Sequence, residues 1–300
     1  MTMSTYTNAL TVEDAIAALA QGARPIAGGT DLVVGARQGK KRLPESLVGI
    51  HRIAGLDQIE ENGDGVSIGA LVTHQALVTH PLIRKSFAGL ADASAIVGSH
   101  ATRANGTIGG NVMNASPAMD TGAPLLCHGA MAVLKRSGGT RSVNLAELWT
   151  GPGTTSASTD ELLIRLDIPL PPPGSGSAYV RLQYRRQMEI AIVGAGAFVT
   201  IAGGKVTDAR IAITALAPVI HRAEAAEAAL IGTDGNAAAV EAAADAAAAA
   251  ARPISDVRGS AEYRRAMAAV IARRAIETAL RRAHGHDVTI PASDSTFGST

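Results

Sequence analysis

Apolar residues recur at helical spacing near the start of the chain and again near its end. The stretch LTVEDAIAALAQG has Thr11 three residues before Asp14 and closes at Gly22, which predicts a helix with a capping box. Close to the other end, SAEYRRAMAAVIARRAIETALRRA has apolar residues at roughly i, i+3 and i+4, with arginines on the other side. This pattern predicts an amphipathic helix that covers a sheet. The alanine-rich stretch 223–251 is also predicted to be helical, because alanine has the highest helix propensity.

Short apolar runs separated by turn residues predict strands elsewhere in the chain. Between Leu43 and Val72 the runs SLVGI and GVSIGALV are divided by glycine and acidic residues, a pattern typical of strands and hairpins. Two helical stretches follow, divided at Pro81. The proline cluster IPLPPPGSGSA at 168–178 indicates a domain boundary, and the strands predicted after it include a GGK hairpin turn. A chain of 300 residues is expected to form two or three lobes.

The overall charge and the single cysteine exclude several classes of protein. With 27 basic and 26 acidic residues and 3% aromatic residues, the chain lacks the basic and stacking surfaces that nucleic-acid binding requires. Cys127 alone cannot form an internal disulfide, a thiolate zinc site or an iron–sulfur cluster. No signal sequence and no run of about 18 strongly apolar residues is present. We therefore expect a cytoplasmic protein without an integral membrane segment and without a nucleic-acid partner.

A first glycine-rich loop lies in RPIAGGTDLVVGARQGK, between a predicted strand at Arg24–Ala27 and a short helix predicted from Asp31. Glycines at such a junction bring unpaired backbone N–H groups, and the positive end of the helix dipole, close to an anion. A phosphate group is the first expectation. The alternative is a tight turn in which Gly28 or Gly29 needs a positive φ, with no ligand involved.

A second glycine-rich loop, NGTIGGNVMNASPAMD at 105–120, is dense in hydrogen-bonding groups and poor in bulky side chains. Its glycines are Gly106, Gly109 and Gly110. Such a loop suits a planar or polyhydroxylated ligand that lies against the main chain, with ligand hydroxyls donating to Asp120.

Ordinary structural roles are open for the same residues. Asp120 is a good N-cap residue for the helix predicted to follow it. Asn111 and Asn114 can serve only to satisfy loop backbone groups. His100 and His128 have no partners at metal-ligand spacing, so neither is assigned to chemistry, and no metal site is predicted.

Six sequence blocks, in order and covering nearly the whole length, resemble the FAD-binding medium subunit of the molybdenum hydroxylases. This family includes the xanthine dehydrogenases and aerobic carbon monoxide dehydrogenase. The blocks are AGGTDL at 27–32, LVGIHRIAGLDQI at 47–59, IGALVTHQAL at 68–77, NGTIGGNVMNASPAMD at 105–120, ELLIRLDIP at 161–169 and PISDVRGSAEYRR at 253–265.

The resemblance implies an α+β fold made of two domains. Residues 1–173 would form a two-part FAD-binding domain of the vanillyl-alcohol-oxidase (PCMH) type, with parts at about 1–55 and 56–173. Residues 174–284 would form a smaller α+β domain with a three-stranded sheet. The polar tail at 285–300 is expected to be a loose arm or to rest on a partner.

The resemblance also implies the cofactors and partners. FAD would bind to this chain, a small subunit would carry two [2Fe–2S] clusters, and a large subunit would carry the molybdopterin cofactor. Two such heterotrimers would form a dimer. Electrons would pass from molybdenum through the clusters to FAD, and then to NAD or a quinone. The stretch NASPAMD is closer to relatives that oxidise N-heterocycles such as purines, and an aldehyde is the other expected substrate.

Residue by residue, the resemblance implies FAD contacts but no catalytic residue on this chain. The first loop would hold the diphosphate with Ala27, Gly28, Gly29, Thr30, Asp31 and Leu32. The second loop would lie against the flavin and diphosphate with Thr107, Gly109, Gly110 and Asn111. Asp120 would bind FAD hydroxyls, and Val97 and Leu163 would lie beside the ring and the cofactor. Arg181 stands where relatives often have lysine, which keeps the charge and changes the hydrogen-bonding shape.

Two other functions compete with this one. A self-sufficient flavin oxidase or reductase of the same fold would need proton-donating residues in its own substrate lobe, and the alanine-rich C-terminal part offers few. A non-enzymatic nucleotide-binding protein is the second alternative. It lacks a specific motif, because neither GxxxxGK[ST] nor GxGxxG occurs in either loop.

Overall fold

The computed structural model describes residues 5–39, 42–63 and 65–297, and the side chains up to residue 294. Its first part is a three-stranded parallel sheet with two helices. The elements are β1 (Thr5–Asn8), α1 (Val12–Ala20), β2 (Arg24–Ile26), α2 (Leu32–Arg37) and β3 (Ser46–Gly49), with the strand order β1-β3-β2. The predicted capping box is confirmed, since Thr11 Oγ1 accepts from the Asp14 N–H at 3.0 Å and Asp14 accepts from the Thr11 N–H at 3.0 Å.

The second part contains a five-stranded antiparallel sheet with the order β4-β5-β10-β6-β7, covered by short helices. Its elements are β4 (Ile59–Asn62), β5 (Gly65–Gly69), α3 (His74–Thr79), α4 (Pro81–Ser86), α5 (Ala88–Ala95), α6 (His100–Asn105), α7 (Ile108–Asn114), α8 (Gly122–Cys127), β6 (Met131–Arg136), β7 (Gly139–Asn144), α9 (Leu145–Leu148), β8 (Trp149–Gly151), β9 (Thr154–Thr155) and β10 (Leu162–Pro169). The predicted helix break at Pro81 is confirmed, because proline starts α4 at a position where its missing N–H costs nothing.

The third part is a four-stranded antiparallel sheet packed against helices. Its elements are β11 (Ser175–Leu182), β12 (Val193–Ala202), β13 (Lys205–Thr214), β14 (His221–Arg222), α10 (Glu224–Leu230), α11 (Ala237–Ala250), α12 (Ala261–Ala283) and α13 (Ala292–Phe297). Three long strands make up most of this sheet, as expected. A fourth strand of two residues at its edge was not predicted, because two residues are too short to show a periodic pattern.

The alanine-rich stretch forms two helices instead of the one that was predicted. The interruption at 231–236 contains Gly232, whose φ of +84° follows the end of α10, and Gly235, whose φ of +68° precedes the start of α11. Asn236 then caps α11 by accepting from the Ala239 N–H at 3.0 Å. The amphipathic α12 covers β11 and β12 as predicted, and a Cβ on Gly176 of β11 would overlap its backbone.

The prediction that the C-terminal tail is a loose arm, or rests on a partner, is wrong for 288–293. Ala292 and Ser293 are buried in this chain. The Ala292 N–H donates to Asp92 at 2.9 Å, and the Ser293 hydroxyl oxygen accepts from the Arg181 N–H at 3.1 Å. Asp92 is itself fully buried and needs such donors, which explains why the tail packs here. Residues 298–300 lie outside the described part.

None of the helices that the structure describes combines the length and the apolar character that a membrane span requires.

Candidate functional site

The two glycine-rich loops lie against each other, although they are far apart in the sequence. A Cβ on Gly28 would overlap the carbonyl oxygen of Asn105, and a Cβ on Gly106 would come within 3.4 Å of Thr30 Oγ1. The two loops therefore approach so closely that only glycine fits at residue 28. The prediction that both loops contribute to one site depended on this proximity, and the proximity is confirmed.

The first loop presents backbone donors with no partner. It leaves the parallel sheet after β2 and enters α2, and the Ile26 carbonyl accepts from the Ile50 N–H at 3.0 Å. The N–H groups of Gly28, Gly29 and Thr30 have no acceptor among the residues that the structure describes. Successive unpaired N–H groups are donors that an anion can use.

Gly29 also has the positive φ, +67°, that the turn alternative requires. Gly28 does not, and its requirement is the close approach to Asn105. A tight turn accounts for the glycine at residue 29. It gives no role to the unpaired N–H groups of residues 28–30.

The two adjacent glycines of the second loop face in opposite directions. Thr107 caps α7, and its Oγ1 accepts from the Gly110 N–H at 3.1 Å. Gly109 is buried against β5, where a Cβ would lie 2.6 Å from the carbonyl oxygen of Ala70. Gly110 is exposed, and a Cβ there would meet only Thr107 Oγ1, at 3.0 Å. The packing of the chain explains the glycine at 109 and gives no reason for the glycine at 110, which leaves room for a ligand.

Asp120, the last residue of the second loop, forms a buried ion pair. Its Oδ2 accepts from Arg181 at 2.7 Å and its Oδ1 accepts from the Tyr179 hydroxyl at 2.9 Å. Burial raises the pKa of Asp120, and the Arg181 guanidinium works against this increase. The N-cap alternative for Asp120 is wrong, because Thr121 precedes α8 and no side chain caps that helix.

Arg181 has no exposed surface. Its guanidinium contacts Asp120, Gln183 and the Glu189 carbonyl. It acts on the site through Asp120, and its own contact with FAD stays a prediction. Sequence analysis missed Tyr179, although it lies two residues before Arg181 on β11 and therefore shares its face.

The other predicted residues lie at varying depth. Asn111 accepts from the Thr121 hydroxyl at 2.6 Å, so one of its hydrogen bonds serves the loop. Leu163 is buried in β10, and Val97 is half-buried. In the first loop, Asp31 is exposed, and Ala27 and Leu32 are half-buried. Their contacts with FAD stay predictions.

His74 and Arg103, which sequence analysis did not select, lie at the meeting point of the loops. The His74 N–H donates to the Gly106 carbonyl at 3.0 Å, and a Cβ on Gly106 would lie 3.4 Å from the His74 ring. Burial, helped by the charge of Arg103, lowers the pKa of His74 to about 4, so the imidazole is neutral at pH 7. Arg103 stands three residues before Gly106, a position that could have drawn attention to it.

His100 and His128, which were assigned to no chemistry, make structural contacts. The Arg103 guanidinium donates to His100 Nδ1 at 3.1 Å. His128 packs between Phe87 and Phe198, and burial lowers its pKa to about 3. Within the described ranges, no group of three or more histidine, cysteine, aspartate or glutamate residues could hold a metal ion.

Two family descriptions match this chain almost end to end. The FAD binding domain in molybdopterin dehydrogenase matches residues 2–171. The CO dehydrogenase flavoprotein C-terminal domain matches residues 178–279.

Curated proteins and solved structures agree with these descriptions. The carbon monoxide dehydrogenase medium chain of Afipia carboxidovorans is 36% identical over 281 residues, 93% of this chain and 97% of its own length. The putative xanthine dehydrogenase FAD-binding subunit of Escherichia coli K12 is 30% identical, over 75% of this chain and 78% of its own. A structure of carbon monoxide dehydrogenase from Hydrogenophaga pseudoflava superposes with a TM-score of 0.89 at 34% identity, covering 93% of this chain and 98% of that one.

Proposed function

Since the chain belongs to the family of FAD-binding subunits of the molybdenum-dependent dehydrogenases, we propose that it binds one FAD where its two glycine loops meet and transfers electrons from a partner's clusters to an external acceptor. The observation that carries the proposal is the set of unpaired N–H groups at Gly28, Gly29 and Thr30, in contact with the loop that exposes Gly110. Together they offer a ligand both hydrogen-bond donors and space beside the backbone.

The residues present fit this cofactor. Donors of the first loop suit the oxygens of a diphosphate, and the exposed glycine suits a planar ring or a sugar lying against α7. We propose that Asp120, which accepts from Arg181 and Tyr179, also accepts from ligand hydroxyls. Bound FAD supplies the ability to accept electrons singly and to release them in pairs. This chain binds and orients the cofactor, and no residue of it is proposed to act as an acid, base or nucleophile.

We propose the domain boundaries that the resemblance implies. Residues 1–173 would be the FAD-binding domain, with parts at about 1–55 and 56–173, and the separate parallel and antiparallel sheets support this division. Residues 174–284 would be the second domain, and the third sheet with its helices supports it. Residues 285–300 would be the tail, of which Ala292 contacts Asp92 of α5 and Ser293 contacts Arg181 of β11.

The partners proposed are a small subunit with two [2Fe–2S] clusters and a large subunit with the molybdopterin cofactor, in a dimer of heterotrimers. Support comes from the relatives, which are named as medium chains or FAD-binding subunits. The substrate proposed is an N-heterocycle such as a purine, or an aldehyde, and the acceptor NAD or a quinone. We propose a cytoplasmic location, where the single cysteine would stay a free thiol.

Copurification tests the proposal. The chain is isolated from its native host under gentle conditions, its associated polypeptides are identified, and the absorbance spectrum is recorded. We expect two partners, with molybdopterin and iron–sulfur signatures, and a flavin spectrum. A colourless protein without partners would contradict the proposal, and a yellow protein without partners would favour a self-sufficient flavin enzyme.

A further inference from the structure

Arg103 is a buried cation on α6, one turn before the point where the glycine loops meet. Only 6% of its surface is exposed. One guanidinium nitrogen donates to the Val97 carbonyl at 3.0 Å, and another contacts His100 Nδ1 at 3.1 Å. Two of its five N–H donors are thereby used, and both partners are neutral acceptors.

The charge of Arg103 has no counterpart in the described part of the chain. Arg181, Arg264 and Arg282 are also largely buried, and each of them pairs with a carboxylate. Their partners are Asp120, Asp256 and Asp92, at 2.7, 2.6 and 2.6 Å respectively. No such ion pair is formed by Arg103 among the described residues. Burying an unpaired charge is costly, so this arrangement indicates an anion that the polypeptide does not supply.

The position of Arg103 indicates which anion. Arg103 stands on α6 one helical turn before Gly106, where a Cβ would lie 3.4 Å from both the His74 ring and Thr30 Oγ1 of the first loop. Its guanidinium also donates to the carbonyl of Val97, a residue that the resemblance places beside the flavin ring, so Arg103 adjoins a predicted FAD contact as well as the residue at which the loops meet. Its two neutral hydrogen bonds do not require a positive charge, since an amide side chain could donate them.

We propose that Arg103 balances an anionic group of the bound FAD. Two parts of the cofactor carry such a group, the diphosphate and, after reduction, the flavin ring. Either would place its charge against the guanidinium, whose three remaining donors are available for it. This inference rests on the proposed function, and it assigns the buried charge a role in binding or tuning FAD.

The test compares Arg103→Met, which keeps the length and removes the charge, with Arg103→Lys, which keeps the charge. Arg222→Met is the matched control, because Arg222 forms an ion pair with Glu227 on the third sheet's edge, at 2.5 Å. For each full-length chain we measure the dissociation constant of FAD by flavin fluorescence at low and high salt. The midpoint potential of the bound flavin and the thermal unfolding midpoint are measured as well. If Arg103→Met does not fold, Arg103→Gln takes its place.

A diphosphate partner predicts that Arg103→Met weakens FAD binding about tenfold or more, with a smaller salt dependence, and that Arg103→Lys retains most of the affinity. A reduced-ring partner predicts unchanged affinity for oxidised FAD and a more negative midpoint potential. Arg222→Met should lower the unfolding midpoint and change neither quantity. The inference is overturned if Arg103→Met matches the wild-type chain in affinity and potential, or if Arg103→Lys fails as badly as Arg103→Met. Failure of the wild-type chain to bind FAD at all would instead contradict the proposed function.

Discussion

Replacing Gly110 with valine should separate cofactor binding from folding. A Cβ at residue 110 would meet only the Thr107 hydroxyl, at 3.0 Å, and this hydroxyl can shift slightly. Valine is a better helix former than glycine by a few tenths of a kcal/mol, which offsets part of the close contact. We therefore expect the free energy of unfolding to change by less than about 1 kcal/mol.

FAD binding should respond quite differently. The branched side chain would occupy the exposed space beside α7 and push the cofactor away from its hydrogen-bond donors. Losing one or two hydrogen bonds to a charged group costs about 3 kcal/mol, which corresponds to roughly a 150-fold increase in the dissociation constant. The protein should elute as a folded chain with little flavin absorbance.

Two further variants make the comparison decisive. Gly109→Ala places a Cβ 2.6 Å from the Ala70 carbonyl oxygen, so it should lower stability by about 1–3 kcal/mol. Gly138→Val lies in the exposed β6–β7 turn, where the nearest atom is the Arg136 side chain at 4.0 Å, and it should leave FAD binding unchanged. Full flavin content in Gly110→Val after gel filtration would refute the reasoning.

Three other predictions follow from the buried contacts. Gly28→Ala should force the two loops apart, because its Cβ would overlap the Asn105 carbonyl. Both the unfolding temperature and the FAD content should therefore fall. Unchanged FAD content would show that FAD binding does not need the loop contact. Asp120→Asn should lower the free energy of unfolding in urea by about 3 kcal/mol, because Arg181 keeps a buried charge without its carboxylate, and a loss below 1 kcal/mol would contradict this account of the pair. His128 has a folded-state pKa of about 3 against 6.5 when unfolded, so its contribution to stability is present above pH 6.5 and is lost as the pH falls. At pH 5 its share of the loss is about 2 kcal/mol, and in urea titrations His128→Phe should reduce the fall in stability between pH 7 and pH 5 by about this amount, while His74 keeps its own share; an unchanged fall would contradict this account.

The sequence indicated those features that depend on local chemistry. Thr11 and Asp14 predicted a capping box, Pro81 predicted a helix boundary, and each feature requires only residues within one turn. Six short blocks in family order, among them those around Gly28 and Gly110, identified the family and the order of the two domains. These positions carry their information in a few adjacent residues, so a single sequence can show it.

Features that depend on distant contacts did not show in the sequence. Gly109 and Gly110 cannot be told apart in the sequence. Only the close approach of Ala70 shows that residue 109 must be glycine for packing, whereas Gly110 is exposed. Asp120 and Arg181 are 61 residues apart, and no local pattern predicts their ion pair. The missing carboxylate beside Arg103 becomes visible only when every neighbour is known. The prediction for the tail was wrong because its polar composition suggested exposure. Its hydrogen bonds to Asp92 and to the Arg181 N–H join residues about 200 and 112 positions apart, which no local pattern shows.

The central claim is that the N–H groups of the first loop hold the diphosphate of FAD against the second loop. A density map of the FAD-loaded complex tests it most directly. The account predicts diphosphate oxygens within hydrogen-bonding distance of the Gly28, Gly29 and Thr30 nitrogens, with the cofactor passing over Gly110. A map that places FAD elsewhere on the chain, with these nitrogens facing solvent, would contradict it.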